Sequence, residues 1–336
     1  MQDLQTRETP REVREGATSP SDSWKGYALA VLAAVSWATG GLMAKWLFSP
    51  IDATTADWPF PPLGIDVDPM TLSASRAVVS ALILMTYLLL RRRDELRVTR
   101  RELAFLAFFG VVGLAIVHFT YFQAISYTNV ATAILLEYLA PVIVLVFSVA
   151  FLGERLTWTL PFGVGLSVSG CALVVGVASG EGMMISSGGL FWGLASAVFF
   201  AGYSLLGKYA SKRFTPWTMM SYGLSSAAIF WLIVQGGPSR VLEFTGSPAG
   251  LGAVVFIAIV GTIIPFSSFL KALHYIDATK ATVTATLEPV LAGLVAYVLF
   301  GESFDLIQMT GGFMVIAAIM VVQSSGRADQ LVPPAA

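Results

Sequence analysis

The chain has 336 residues and a net charge of −1. Of these residues 56% are hydrophobic and 12% charged, and the mean hydropathy is +0.74. A soluble domain of this length does not need so much apolar surface, so the composition excludes an ordinary soluble protein.

The sequence predicts ten membrane-spanning helices, each near the roughly 20 residues that cross about 30 Å of hydrocarbon. They are residues 26–48, 70–90, 103–125, 130–151, 158–178, 190–210, 217–234, 251–273, 278–300 and 306–322. We expect two units of five helices, residues 25–180 and 188–323, between flexible cytoplasmic tails at 1–24 and 324–336. The first apolar run is too long for a cleaved signal peptide.

Basic residues are concentrated in alternate loops. The loop between spans 2 and 3 holds six arginines, whereas residues 49–69 are rich in proline and acidic residues. The positive-inside rule therefore predicts that both termini are cytoplasmic. Residues 49–69 are then external, either as an irregular surface loop or as a lid over an outer opening. Because the basic residues lie in these short loops, nucleic-acid binding is not expected.

The fourth and ninth predicted spans repeat each other. Residues 129–154 read NVATAILLEYLAPVIVLVFSVAFLGE, and residues 277–302 read DATKATVTATLEPVLAGLVAYVLFGE. Pro141 then aligns with Pro289, and the N-cap residue Asn129 aligns with Asp277. With five spans in each unit the two copies are inverted. Inverted repeats with a site near the bilayer midplane are a transporter design.

Each copy carries one carboxylate at membrane depth, Glu137 and Glu288, and an ionisable group there is a functional hypothesis by default. Either carboxylate would bind a substrate ammonium group or carry a proton. The alternative is an interhelical hydrogen bond, or a pair with Arg76, that only fixes packing. Arg76 itself either extends toward the outer face or pairs with a buried acid.

Three prolines, Pro141, Pro289 and Pro265, are predicted to bend their helices beside a cavity, because proline removes a backbone hydrogen bond. His118 is either a packing histidine or a proton-relay or substrate contact. The aromatic residues Trp37, Tyr121 and Tyr203 either line the cavity or pack between helices. The single cysteine, Cys171, lies in an apolar run, which excludes an intrachain disulfide and leaves no metal-ligand cluster.

The paired P-V…G-E helices, and a first span that contains Trp37 and ends at Lys45, resemble the EamA-type transporters of the drug/metabolite transporter superfamily. The resemblance covers residues 25–323. It implies a ten-helix inverted-repeat bundle that exports small metabolites, often amino acids or their relatives. It also implies that spans 1, 3, 4, 6, 8 and 9 line the cavity. The related small multidrug exporters use a carboxylate in their first helix, and span 1 has none here.

We therefore expect an all-α secondary carrier of the cytoplasmic membrane that exports a small organic metabolite, with amino acids as the first substrate class. It is expected to need no cofactor and no metal and to be no enzyme. A proton antiporter for drugs or other metabolites is the alternative within the same fold. From other classes, a channel and an intramembrane hydrolase stay open, although Ser204 and His274 form no evident dyad. Coupling to protons, and a monomer against a homodimer, also stay open.

Overall fold

The computed structural model describes residues 22–52, 55–57, 59–128, 130–175, 186–300 and 305–328. Within these residues every regular element is helical. The helices are α1 Ser23–Phe48, α2 Pro69–Arg91, α3 Arg100–Gly110, α4 Ile116–Tyr127, α5 Val130–Glu137, α6 Ala140–Phe147, α7 Thr159–Val174, α8 Ser187–Ala210, α9 Pro216–Val234, α10 Ser239–Gly246, α11 Pro248–Ala258, α12 Ile264–Tyr275, α13 Ala278–Ala285, α14 Glu288–Phe300 and α15 Leu306–Ala328.

Eight helical runs in the described residues are long and apolar enough to cross a membrane. They are Ser23–Leu47, Pro69–Arg91, Arg100–Tyr127, Thr132–Leu152, Ser187–Ala210, Pro216–Val234, Pro248–Tyr275 and Leu306–Ser324. Of the two other predicted spans, one corresponds to α7, an apolar helix of 16 residues. The other corresponds to α13 and α14, which are separated by residues 286–287. The prediction of an all-α protein with multiple membrane-spanning helices is confirmed.

The outer surface of the helices is apolar. Large hydrophobic side chains on several helices are more than half exposed, among them Phe151, Ile233 and Phe313. A monomeric soluble protein rarely exposes contiguous apolar patches of large size. This surface is the one expected of helices in contact with lipid.

Local sequence signals explain where most of these helices begin. Asp68 accepts hydrogen bonds from the backbone of Met70 and Thr71, both at 3.0 Å, and Pro69 is the first helical residue of α2. A capping box between Thr99 and Glu102 begins α3. Serine or threonine side chains cap α8, α9 and α11 in the same way.

Asp277 does not cap its helix, contrary to the sequence-based prediction. It occupies the N-cap position of α13, but its side chain makes no capping hydrogen bond. The carboxylate instead lies 3.1 Å from the ammonium group of Lys280 and 4.0 Å from that of Lys208. Two nearby cations therefore compete successfully with the backbone donors. The matching residue Asn129 lies outside the described residues.

The third and eighth predicted spans are divided in the same way. Eleven α-helical residues in α3 are followed by a π-helical turn of five residues, Val111–Ala115, and by the twelve residues of α4. The same lengths recur in α11, the π turn Ile259–Ile263 and α12. A π turn is often found at a functional site because it locally rearranges the helical hydrogen bonds.

Helices from the two parts of the chain alternate in the bundle. We call residues 22–175 the N-terminal half and residues 186–328 the C-terminal half. In the main contacts between them α1 packs against α12, α4 against α8, α2 against α9 and α7 against α15. Glycines bring the backbones together in three pairs, which are Gly40 with Gly261, Gly110 with Gly223 and Gly170 with Gly311. A Cβ atom added to Gly110 would lie 2.7 Å from the Cα atom of Gly223.

Candidate functional site

A cavity of about 90 Å³ lies between the two halves. Its wall takes residues from the C-terminal part of α1, from the beginning of α2, and from α4, α5, α8, α11, α12 and α14. The polar lining residues are Arg76, His118, Tyr121, Glu137 and Glu288. Aromatic rings form much of the remaining wall, namely Trp37, Phe122, Phe200 and Phe266. This volume holds several water molecules or a small organic molecule.

The two carboxylates stand at breaks in their helices. Glu137 is the last residue of α5, and α6 begins again at Ala140 with Pro141 in its first turn. Glu288 is the first residue of α14, after α13 has ended at Ala285. A proline cannot donate the hydrogen bond that would continue the preceding helix, so the helix breaks beside it. Discontinuous helices at membrane depth are typical of transporter binding sites.

Tyr138 connects the two breaks. Its hydroxyl oxygen lies 2.6 Å from Oε2 of Glu288 and 2.9 Å from the carbonyl oxygen of Ala285. Tyr138 itself is 2% exposed. A phenol has one proton, so it donates to only one of these oxygens at a time. When it donates to the carbonyl, a protonated Glu288 would be the donor to the phenolic oxygen, and the contact can therefore hold an additional proton.

Glu137 has a separate partner. Its Oε2 atom accepts a hydrogen bond from the hydroxyl of Ser196, which is fully buried on α8. No ion pair joins Glu137 or Glu288 to a basic residue within the described part of the chain. Both carboxylates therefore have a hydroxyl donor and, among the described residues, no fixed counter-ion.

Arg76 is buried in the cavity wall and forms no ion pair with an acid among the described residues, so neither alternative from the sequence, extension toward the outer face or a buried acidic partner, describes it. It is 6% exposed. Its Nε atom donates to the hydroxyl of Thr262 at 3.1 Å, and its Nη2 atom donates to the carbonyl of Gly261 at 3.1 Å. The same Nη2 atom lies 3.3 Å from Nε2 of His118. The π turn of the C-terminal half supplies the two oxygens and so holds the guanidinium inside.

His118 acts as an acceptor for Arg76. A guanidinium has donors only, so the Nε2 atom of His118 must offer its lone pair. The ring is then neutral, with its proton on Nδ1. It also lies edge-on to Phe266, with the two ring centroids 4.8 Å apart. His118 thus packs against an aromatic ring and also lines the cavity, while a proton-relay or substrate contact stays a prediction.

An aromatic cluster closes the cavity on one side. Trp37 contacts Phe266 and Phe269, with ring centroids 5.1 and 5.6 Å apart, and Tyr203 contacts the same two rings. Tyr203 is fully buried, donates to the carbonyl of Phe266 at 2.8 Å, and is absent from the cavity lining. Beyond this cluster Lys208 donates to the carbonyls of Leu273 and Ile276, both at 2.8 Å. Trp37 and Tyr121 do line the cavity, as does His118.

The three prolines lie at helix beginnings rather than in the cavity wall. Pro141 and Pro289 follow the breaks beside Glu137 and Glu288, and Pro265 follows the π turn Ile259–Ile263. None of them lines the cavity. They position their neighbours, and direct contact of a proline with a substrate stays a prediction.

The described residues contain no arrangement that fits a metal site or a hydrolase dyad. No group of three or more histidine, cysteine or acidic residues is close enough there to hold a metal ion. The hydroxyl of Ser204 donates to the carbonyl of Phe200 at 2.9 Å, while the Nδ1 atom of His274 lies 3.2 Å from the carbonyl of Leu270. Each of these side chains is engaged with its own helix.

Comparison with known proteins identifies the family. The family model of the EamA-like transporter family matches the chain twice, over residues 62–176 and 187–324. An uncharacterized inner membrane transporter, YicL, of Salmonella typhimurium is 24% identical over 90% of this chain and 96% of its own. A probable terminal-alkyne amino-acid exporter of Streptantibioticus cattleyicolor is 28% identical over 66% of this chain and 73% of its own.

One solved crystal structure has the same fold, with a TM-score of 0.70 at 22% sequence identity, over 90% of this chain and 98% of that one. The two matches of the family model together cover more than half of the chain. A membrane protein with a cavity between two sets of helices is also what a transporter requires. The chain belongs to the EamA-like transporter family.

Proposed function

We propose that this protein is a secondary carrier that exports a small organic metabolite, with amino acids or related compounds as the first class to test. The observation that carries the proposal is the contact between Tyr138 and Glu288, which joins two broken helices at the wall of one cavity. The name of the Streptantibioticus relative, an amino-acid exporter, supports the substrate class. Transport is the activity of the family, and no catalytic role is proposed.

We also propose that the fold is a ten-helix inverted repeat. Three observations support it. The family model matches twice, and the pieces α3, α4 and α5 recur in α11, α12 and α13 with identical lengths. In addition, Glu154, after the end of α6, accepts a hydrogen bond from Thr279, at the beginning of α13, at 2.7 Å. The end of one repeated segment thus lies beside the start of the other, as antiparallel copies require.

We propose that transport proceeds by alternating access. The cavity is lined by the C-terminal part of α1 and the beginning of α2, and the aromatic cluster separates it from the end where Lys208 joins α12. With cytoplasmic termini the cavity faces outward and the closed end faces the cytoplasm. Exchange of the two halves' conformations would open the closed end and close the open one.

We propose that Glu288 and Glu137 bind the substrate's ammonium group and the proton. An ammonium group entering the cavity would meet two carboxylates without a fixed counter-ion among the described residues. The additional proton that the Tyr138–Glu288 contact accommodates supports proton antiport, with binding of substrate and proton at the same carboxylate as competing events.

Counterflow in proteoliposomes tests the carrier. Vesicles loaded with an unlabelled compound should transiently concentrate a trace of the same labelled compound, and the flux should saturate. A channel gives no transient accumulation, and an enzyme changes the compound chemically. A panel of amino acids, nucleosides and cationic drugs also separates the metabolite carrier from the drug antiporter. No accumulation with any compound would contradict the proposed function.

A further inference from the structure

A buried arginine, Arg76, lines the cavity and has no acidic partner in the part of the chain that the structure describes. No carboxylate among the described residues forms an ion pair with Arg76. Its neighbours are a hydroxyl, a carbonyl and a neutral imidazole, and the ring of Phe122 lies 5.5 Å from its Cζ atom. A charge inside a membrane protein normally pairs with an opposite charge, so the missing anion requires an explanation.

The hydrogen bonds of Arg76 leave one nitrogen for a ligand. Nε is used by Thr262, and the two hydrogens of Nη2 are used by Gly261 and His118. Nη1 makes no hydrogen bond to the described residues, and Arg76 lines the cavity. Its donors therefore remain for a group that enters the cavity.

The fold does not need a cation at this place. α2 and α9 both begin with proline, and the eighth residue is Arg76 in α2 but Gly223 in α9. The partners differ in the same way, since His118 in α4 corresponds to Phe266 in α12, and Thr262 corresponds to Leu114. The equivalent positions, Gly223, Phe266 and Leu114, carry no polar side chain. The polar cluster is thus not repeated at the equivalent place in the fold, and it occurs where Arg76 and His118 line the cavity.

We propose that Arg76, positioned by His118 and Thr262, is the binding site for the carboxylate of the transported substrate. This inference rests on the proposed function, because the same cavity carries Glu137 and Glu288. A molecule with a carboxylate for Arg76 and an ammonium group for one of these acids is a zwitterion. The aromatic wall formed by Trp37 and Phe200 leaves apolar surface for a side chain. The assigned ligand class is therefore free α-amino acids with an apolar side chain.

Binding to the purified full-length protein tests the site without transport. Dissociation constants are measured in detergent by thermal shift for three acid–amide pairs, leucine and leucinamide, phenylalanine and phenylalaninamide, and threonine and threoninamide. The amide keeps the ammonium group and loses the negative charge. The wild type should bind the acid of the leucine or phenylalanine pair at least about tenfold more tightly than it binds the amide. This factor is the contribution of one charge-assisted hydrogen bond.

Variants of Arg76 assign that preference to its side chain. Arg76→Gln should bring the acid–amide ratio close to one, and Arg76→Lys should retain part of the preference because it keeps the charge but not the geometry. Arg91→Gln, which removes an exposed arginine from the same helix, should leave the ratio unchanged. If Arg76→Gln does not fold, the wild type and Arg76→Lys still give the ratios.

Two outcomes would overturn the proposal. One is the absence of an acid preference in both the leucine and the phenylalanine pair of the wild type, whatever the threonine pair shows. The other is an acid preference that survives in a folded Arg76→Gln protein. Counterflow distinguishes a failure of the carboxylate site from a failure of the proposed carrier function. Accumulation of a compound without acid preference removes the carboxylate site alone, whereas acid-selective binding without any counterflow removes the carrier.

Discussion

The hydroxyl of Tyr138 lies 2.6 Å from Oε2 of Glu288, so the break in one proline-containing helix contacts the break in the other. Tyr138 follows α5 directly, and Glu288 begins α14. A movement of either helix changes this contact. The protonation of one carboxylate is thereby linked to the relative position of two segments from different halves of the chain.

We expect Glu288→Gln to lower the rate of counterflow at least about tenfold while the protein stays folded, since a charge-assisted contact of about 1.5–3 kcal/mol is lost. Glutamine keeps the shape and still accepts a hydrogen bond from Tyr138. Initial rates in proteoliposomes, with size-exclusion profiles as the check on folding, measure the effect. Glu154→Gln, a carboxyl outside the cavity lining, is the matched control. Wild-type flux in Glu288→Gln would remove this residue from the site.

Tyr138→Phe should lower the free energy of unfolding by about 1 kcal/mol, the magnitude of an interhelical hydrogen bond in a membrane protein. The variant keeps the ring but leaves the carbonyl of Ala285 and the carboxyl of Glu288 without their donor. Chemical unfolding in detergent measures the change. Tyr209→Phe removes a hydroxyl from a side chain that is 65% exposed, and it should change little. Equal stability of the two variants would contradict the structural role given to the contact.

Gly110→Ala should destabilise the protein by about 1–3 kcal/mol, the usual cost of overpacking. The new methyl group would lie 2.7 Å from the Cα atom of Gly223, where neither backbone can easily move. Gly202→Ala is the control, because nothing lies within 4 Å of an added Cβ atom there. That change should be neutral or stabilising by up to about 1 kcal/mol, as alanine favours a helix. Similar unfolding temperatures for the two variants would argue against the close approach of α3 and α9.

Burial raises the pKa of Glu154, which lies outside the membrane-spanning helices, and the hydrogen bond from Thr279 opposes this only in part. A raised pKa in the folded state stabilises the fold below the unfolded value of about 4.3, and this contribution is lost as pH rises through the folded pKa. The unfolding temperature of Glu154→Gln relative to wild type should therefore increase between about pH 4 and pH 8.

Glu243→Gln, at an exposed position on α10, serves as the control in the same pH series. A difference between Glu154→Gln and wild type that does not change with pH would contradict the raised pKa of Glu154.

The proposed inversion predicts opposite locations for two matching turns. A cysteine replacing Arg155, after the fourth span, should react with a maleimide only from the cytoplasmic side. A cysteine replacing Ser303, after the ninth span, should react only from outside. The background is low because Cys171 is the only native cysteine and is fully buried. Labelling of both positions from the same side would refute the inverted repeat.

The helix breaks were predictable because proline acts locally. Pro141 and Pro289 interrupt their helices wherever those helices pack, so their effect can be recognised from the sequence. The acids beside them were predictable for a similar reason, since a carboxylate in an apolar run is costly. Two spans were harder to delimit. The segment around Thr286 is interrupted, and α7, the helix in the described part of the predicted fifth span, has 16 residues.

The contacts of Arg76 were not predictable from its surroundings in the chain. Its partners Thr262 and Gly261 lie 186 and 185 residues away, and only the packing of α2 against the π turn brings them together. Ser196 reaches Glu137 from another helix in the same way. One local signal did indicate that Arg76 is buried. The neighbours of Arg76 in α2 are small and buried, among them Ala74, Ser75, Ala77 and Ser80. A helix surface of that kind is enclosed by other helices, so a long side chain there cannot reach the interface.

The pairing of Gly40 with Gly261 and of Gly110 with Gly223 has a mechanical consequence. Each pair joins one half to the other, and at these points neither helix offers a side chain for its neighbour to interlock with. Helix surfaces without side chains can slide past each other while the neighbouring side chains keep their rotamers. Shear between packed helices consists of small sliding movements of this kind. These two glycine contacts therefore permit one half to slide along the other, and a bulky residue at either pair would hinder that movement.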